Sequence, residues 1–380
     1  MNFLYVAPRF HPNQYPIIAG LIEKGHEVRF CVATVGKTEK HGDIRVDVLN
    51  PSWISKIIYN HYSKKSESLA EDKMLKYFIP SFKDVRKIIK EFKPDVVIMR
   101  EKSFFSLVMN AFCNLYGTKK RIVYNQSPVF YKKQSFLRST ARKLWGHLFP
   151  KERITVCRYS TYPDNKTEYV EDKNAYFLPF VPRKIDVTKT EYVKDGIVRI
   201  LDCGKYRPYK NHFFVVDVIE KLVKGGHKNI FVTIMGQNSN GDEKEYFEKL
   251  CKYVSEKNLD EYISVGGSVP YDEMVEIFAK NDIFILASSR ELANVSILDS
   301  MSIGLATVAT NKNGTSDYVE DGYTGMIYES NNVDDLAEKL ECYIKNPNLI
   351  KEHGENGKKH ISDNFSFESY YKKFISVIES

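Results

Sequence analysis

Short apolar runs alternate with longer amphipathic stretches along this chain, and the alternation runs twice. In the first round Asn2–Val6, Val28–Val32, Asp95–Met99, Arg121–Asn125 and Thr155–Arg158 read as strands. Tyr15–Lys24, Pro80–Phe92 and Phe105–Leu115 read as helices. Strands that are apolar throughout are buried on both faces, which is the pattern of βα units and a parallel sheet. The alternation stops at Pro179–Asp186, where two prolines break regular structure, and in a charged run that reaches Asp195. It then restarts. Val198–Cys203, Ile230–Met235, Tyr262–Val265, Asp282–Ala287 and Ala306–Ala309 read as strands. Asn211–Lys224, Glu243–Ser255, Tyr271–Lys280, Val295–Ile303, Asp334–Lys345 and Leu349–Asn364 read as helices, and Ser366–Ile378 as an aromatic-rich amphipathic one.

A chain of 380 residues is too long for one ordinary core and suits two domains. Expected are two consecutive doubly wound α/β domains, 1–185 and 186–365, with 366–380 as a helix that crosses back to the first. Ligands of such sheets sit beyond the strand C-termini, so a central cleft between the domains is the expected site.

Hydrophobic residues make up 43% and charged residues 28%, which excludes a disordered tail, a collagen-like rod and a disulfide-stapled miniprotein. The opening MNFLYVAPRF lacks a basic stretch before an apolar one, so no secretory signal is read, and no apolar run is long enough to span a bilayer. Cys31, Cys113, Cys157, Cys203, Cys251 and Cys342 form no CxxC pair, and are expected as reduced, mostly buried thiols of a cytoplasmic protein. A net charge of +7 leaves nucleic acid, anionic lipid and phosphorylated small molecules as partner classes.

Two constellations bear on chemistry. In Ser288–Gly304 an apolar strand runs through a polar turn into a helix, with Glu291 in the turn and Asp299 one turn inside the helix. The amides of Asn294, Val295, Ser296 and Ile297 form a helix N-terminus, which favours an anion such as a diphosphate. Carboxylates beside it suit sugar and ribose hydroxyls, each charged hydrogen bond contributing roughly 1.5–3 kcal/mol. Taken singly, Glu291 also reads as a solvated loop acid and Asp299 as a helix surface residue. The second constellation is Gly204–Asn211, again between a strand and a helix, where Lys205, Arg207 and Lys210 gather beside a glycine. Cations there offset charge on a leaving diphosphate. A solvated basic loop is the plain alternative.

Further along, Ile234-Met-Gly236, Val265-Gly-Gly-Ser-Val-Pro270, Asn281–Ser288, Glu291-x7-Asp299, Gly304-Leu-Ala-Thr-Val308 and Asp321-Gly-Tyr-Thr-Gly325 follow Gly204-Lys205…Lys210-Asn211 in order. This series resembles the family 4 glycosyltransferases of the GT-B fold over nearly all of 197–380. The resemblance implies two Rossmann-like domains and a nucleotide-diphosphate sugar held by the C-terminal one. It implies that Lys205 and Lys210, beside Gly204 and Gly236, hold the diphosphate, and that Glu291 contacts the donor sugar and Asp299 the ribose. Backbone near Val269 would contact the base. The family usually carries Arg where Lys205 stands, which leaves Arg207 to compensate. It usually carries Glu where Asp299 stands, one methylene longer. The N-terminal half resembles the family less. Its first loop, Pro8–Gln14, stands where many members have a Gly-Gly pair, and the family's mid-domain histidine has no clear counterpart near Arg100-Glu101. His11, Asn13, Gln14 and Gln126 are the acceptor or cleft candidates.

The implied activity is retaining transfer of a hexosyl or N-acetylhexosaminyl group from a UDP-sugar, with GDP the runner-up, to a saccharide that is lipid-linked, in surface polysaccharide assembly. No cofactor is expected beyond that donor substrate. No metal is expected either: there is no DxD pair and no HxH or HxxxH spacing. Segments 53–65 and 131–149 hold both tryptophans among lysines and arginines, and suit either an anionic membrane surface on the inner face of the cell membrane or a core helix with a basic rim. Nucleic acid is set aside because no recognition-helix or RNP-type motif occurs. Two rivals stand: a GT-B nucleotide-sugar epimerase, and a non-catalytic sugar-nucleotide-binding subunit of a membrane complex.

Overall fold

The computed structural model describes residues 1–35, 42, 44–64, 76–100, 102–132, 148–162, 169–239 and 241–380. Its contacts divide the chain into two compact units. The first gathers Met1–Val156, Glu168–Val181 and Phe367–Ser380, and the second Cys157–Thr167 and Pro182–Ser366.

The strands of the first unit are β1 (Asn2–Val6), β2 (Glu27–Val32), β3 (Arg45–Val48), β4 (Val96–Arg100), β5 (Lys120–Asn125), β6 (Phe130–Lys132), β7 (Arg153–Thr155), β8 (Tyr169–Glu171) and β9 (Ala175–Phe177). Seven form one sheet in the order β3-β2-β1-β4-β5-β7-β9, with every pairing parallel. β6 and β8 make a separate antiparallel pair. Among its helices are α1 (Tyr15–Glu23), α2 (Trp53–Ser63), α3 (Phe82–Phe92) and α4 (Phe104–Leu115). In α3 the buried residues Val85, Ile88, Ile89 and Phe92 recur every three or four positions, so one stripe faces the sheet. It stops at Lys93, whose left-handed backbone (φ 49°) returns its N–H to the Ile89 carbonyl. Ser103 starts α4 by accepting from the Ser106 amide.

The second unit has β10 (Val198–Cys203), α5 (His212–Lys224), β11 (Ile230–Met235), α6 (Gly241–Glu256), β12 (Ile263–Gly266), α7 (Tyr271–Lys280), β13 (Ile283–Leu286), α8 (Ser296–Ile303), β14 (Ala306–Thr310), β15 (Gly325–Tyr328), α9 (Val333–Lys345) and α10 (Pro347–Asn364). Its six parallel strands run β12-β11-β10-β13-β14-β15. Counted from β10 this is 3-2-1-4-5-6, the order of doubly wound nucleotide-binding sheets. The order reverses between β10 and β13, and there the chain leaves both strands in loops at the same sheet edge. Val198, Ile200, Val232, Ile234, Ile285 and Val308 fill the core beneath α5.

The last helix, α11 (Phe367–Glu379), belongs to the first unit. Its Tyr370, Phe374 and Val377 are buried, and Phe374 lies 5.8 Å from the Phe3 ring. Tyr371 Oη meets His26 Nε2 at 2.8 Å, and Glu368 pairs with Lys24 at 2.7 Å.

Three features depart from the sequence reading. The strand expected over Thr155–Arg158 is β7, two residues earlier. Val156 and Cys157 are buried but leave the sheet, because from Cys157 the chain clusters with the second unit instead. There Cys157 Sγ donates to the Leu292 carbonyl and the Tyr162 amide to that of Asn311. β3, β6, β8, β9 and β15 were not expected. All six cysteines are free, but Cys342 is exposed. Among the described residues no helix is long and apolar enough to cross a membrane.

Candidate functional site

The loop after β10 begins with Gly204 and turns through a single 3₁₀ turn, Pro208–Lys210, into α5. A Cβ on Gly204 would lie 3.0–3.1 Å from side-chain carbons of Lys210, so glycine leaves room for that lysine to fold back over the loop. Asn211 links the turn to α5 with a left-handed backbone, φ 67°, a conformation Asn tolerates better than most residues. Tyr206 is fully buried and donates to the Gly266 carbonyl, tying this loop to the end of β12. Gly236 follows β11 and lies against Tyr206: a Cβ there would approach its ring to 2.9 Å.

The loop after β13 carries Glu291. Three donors converge on its Oε2: Lys210 Nζ at 2.7 Å, Ser288 Oγ at 2.9 Å and Asn294 Nδ2 at 3.2 Å. Oε1 takes none of them and stays open to a hydroxyl donor. The Glu291 backbone is pinned as well, its carbonyl accepting from the Gly314 amide at 3.1 Å. Asn294 is buried, and its Oδ1 accepts from the Ser296 amide at 2.8 Å at the start of α8. Val295, Ser296 and Ile297 complete that helix N-terminus.

The remaining expected residues fall as follows. Lys205 is exposed and has no ion-pair partner among the described residues. Arg207 is committed elsewhere: its Nε and Nη2 lie 3.2 Å from Glu243 and its Nη1 3.5 Å from Asp242, at the start of α6. Of the three loop cations, then, Lys205 alone is unmatched, and compensation by Arg207 does not match its geometry. Asp299 is not an open helix-surface acid. It is buried and accepts from Tyr271 Oη at 3.1 Å, while the Arg183 guanidinium stacks 4.2 Å over the Tyr271 ring. Burial raises the Asp299 carboxyl to about 6, against the opposing pull of Arg183 and the Tyr271 hydrogen bond. Val269 is half-buried in the loop between β12 and α7.

Sequence reasoning missed the brace beneath these loops. His212 Nδ1 meets Asp202 Oδ2 at 2.6 Å, and its Nε2 meets the Lys205 carbonyl at 3.4 Å, with both side chains buried. Asp202 was visible as a lone carboxylate inside the apolar run Val198–Cys203. Ser288, Tyr271 and Arg183 gave no local signal. Burial pushes the thiol of Cys203, beside the loop, up to about 12, which keeps it protonated at neutral pH.

A cavity of about 410 Å³ opens beside Glu291, bounded also by Ser160, Thr161, Tyr209, Ser289, Arg290, Leu292 and Lys312. Among the described residues no three His, Cys, Asp or Glu side chains come together as a metal site.

His11, Asn13, Gln14 and Gln126 belong to the first unit, on loops that follow β1 and β5. His11 is exposed and Gln126 half-buried. Gln14 is 3% exposed, and its Oε1, like Asn13 Oδ1, has no hydrogen-bond partner. Glu101 lies outside the described residues.

Two parallel-sheet Rossmann-like bodies, the second with a pair of loops at its switch point, make up the GT-B fold. The comparisons agree in fold. A glycosyltransferase from Rickettsia africae superposes with a TM-score of 0.72 at 16% identity, over 100% of this chain and 97% of that one. Anabaena HepE, crystallised with UDP and glucose, gives 0.71 at 13% identity, over 100% and 99%. Residues 190–360 match the family described as glycosyl transferases group 1. An uncharacterised glycosyltransferase of Methanocaldococcus jannaschii is 24% identical over 75% of each chain. The poly(ribitol-phosphate) alpha-N-acetylglucosaminyltransferase of Staphylococcus aureus is 27% identical over 46% of this chain and 34% of that enzyme.

Proposed function

We propose that this chain is a retaining family 4 glycosyltransferase. It moves a hexosyl or N-acetylhexosaminyl group from a nucleotide-diphosphate donor, with UDP preferred and GDP the runner-up, to a saccharide hydroxyl. The acceptor is lipid-linked, and the work belongs to surface polysaccharide assembly, as for a similar capsular polysaccharide biosynthesis glycosyltransferase of Staphylococcus aureus. The observation that carries this reading is the Lys210–Glu291 pair at the switch point, with Glu291 Oε1 open.

A lysine ammonium has three N–H donors, and Lys210 uses one on Glu291. The other two can reach diphosphate oxygens without breaking the pair. Lys205 adds a second cation, and the amides of Val295–Ile297 a helix N-terminus. Together they offset the charge that builds on the diphosphate as the bond to the anomeric carbon breaks. Glu291 Oε1 accepts a sugar hydroxyl and supports positive charge at that carbon. The departing phosphate oxygen takes the acceptor's proton on the same face, so the new bond keeps the anomeric configuration and no protein base is needed. Asp299, with Tyr271, would hold the ribose, and the backbone near Val269 would contact the base. Gln14 and Asn13, with His11 and Gln126, are the acceptor-side candidates.

The reaction is read as metal-independent, on the sequence ground that no DxD pair occurs. Turnover that vanished in chelator and returned only with Mn²⁺ would contradict this. The chain is read as cytoplasmic and peripheral on the membrane's inner face. Support comes from α2, where Trp53 is 70% and Ile57 58% exposed, one turn apart and next to Lys56. Of the second segment, 133–147 lies outside the described residues, as does residue 65 of the first.

A thermal-shift panel of nucleotides and nucleotide sugars tests the central reading. At ligand about 100-fold above its Kd, stabilisation of about 2.7 kcal/mol is expected. No response to any UDP or GDP ligand would remove it.

A further inference from the structure

The second unit carries cations that the diphosphate grip does not use. Arg290 and Lys312 stand at the edge of the cavity beside Glu291; both are exposed and neither has an ion-pair partner among the described residues. Glu291 is the sole carboxylate among the described residues of that wall, and Lys210 already matches it at 2.7 Å. Asp317, on the 3₁₀ turn that follows, pairs with Arg158 at 3.3 Å. The cavity therefore carries two uncompensated positive charges over a concave surface whose volume, about 410 Å³, falls in the range of small-ligand sites. Tyr209 and Ser289 add hydroxyls, that of Ser289 lying 3.3 Å from the Tyr209 carbonyl. A guanidinium presents paired N–H donors that fit a carboxylate or phosphate in two bonds, and a lysine adds a point charge.

We propose that Arg290 and Lys312 read a carboxylate or phosphate carried by the saccharide that lies beside Glu291, so that the preferred ligand is an anionic sugar. This rests on the glycosyltransferase reading above and narrows its substrate class. The anion has two possible sources, the donor sugar or the acceptor, and the experiment separates them.

Calorimetric titration at one fixed ionic strength compares wild type with the double variant Arg290→Gln/Lys312→Gln. The donor probes are UDP-glucuronate against UDP-glucose, and GDP-mannuronate against GDP-mannose, with UDP and GDP alone as references. The acceptor probes are glycerol 3-phosphate against glycerol, each with the nucleotide saturating. Wild type is expected to favour the anionic member of at least one pair about tenfold or more, and the double variant to bring that ratio close to one. The pair that shows the preference identifies the source. A wild type that binds UDP or GDP but treats both members of every pair alike overturns this inference and leaves the glycosyltransferase reading standing. A double variant that loses affinity equally for UDP alone and for both sugars also overturns it, since the two cations would then belong to the diphosphate grip. Wild type that binds no nucleotide at all removes both.

Discussion

At Glu291 the chemistry depends on which carboxylate oxygen is already occupied. Three donors hold Oε2, so the side chain is fixed while Oε1 takes none of them. Glu291→Gln keeps the shape and an oxygen for these donors but removes the charge that, in the proposed reaction, supports the anomeric centre. It is expected to lower turnover by about 10²–10³-fold while nucleotide affinity changes little; equal losses in both, read by kinetics and by UDP titration, would point to a collapsed loop instead. Asp299 makes a pH prediction. Its carboxyl is raised to about 6 in the fold, above the roughly 3.9 of an unfolded chain. The folded state thus favours the protonated form. That contribution to stability is complete below the unfolded value and is lost as pH rises through 6. Asp299→Asn keeps an acceptor for Tyr271 and cannot ionise. Its stability relative to wild type should rise by roughly 1–3 kcal/mol between pH 4 and pH 7 and then level off, as read by denaturant melts at stepped pH. A difference that stays flat with pH would mean that Asp299 does not titrate in this window.

Among the elements, α11 and α2 make opposite demands. α11 closes the first unit's sheet with Phe374, which is fully buried. Phe374→Ala is expected to cost about 3–5 kcal/mol in chemical denaturation. Gly20→Ala attacks the same junction from α1, because the added Cβ would lie 2.5 Å from the Phe367 ring; a loss of about 1–3 kcal/mol follows from overpacking. α2 instead turns Trp53 and Ile57 outward. Trp53→Ser/Ile57→Ser should leave the melting temperature close to wild type, yet abolish pelleting with vesicles containing anionic lipid. Undiminished pelleting would exclude α2 as the contact. The helices were the most legible part of the sequence. α5, α7, α9 and α10 begin and end within two residues of expectation, because apolar spacing and end signals such as Gly225 and Pro347 are local. Short strands were less legible. β3 is a half-exposed edge strand and β15 only four residues, too little apolar run to separate a strand from a loop.

For the whole molecule, the two-unit organisation predicts where ligand protection appears. With UDP saturating, slowed amide hydrogen exchange should concentrate at 204–211 and 287–297 in the second unit, while β1 and β4 of the first exchange as before. Protection confined to the first unit would place the nucleotide elsewhere. The sequence alone determined the double α/β alternation, the break near Pro179–Asp186 and the two polar loops, 204–211 and 287–295, that each join a strand to a helix. These follow from patterns read within ten or twenty residues. Charge pairing was decided by the tertiary structure. Lys210 meets Glu291 across 81 positions and Arg207 meets Glu243 across 36, while Asp299 is buried against Tyr271, 28 positions away. Which ions stay free for a ligand depends on which strands lie side by side, and hydrophobic periodicity carries no information about that order.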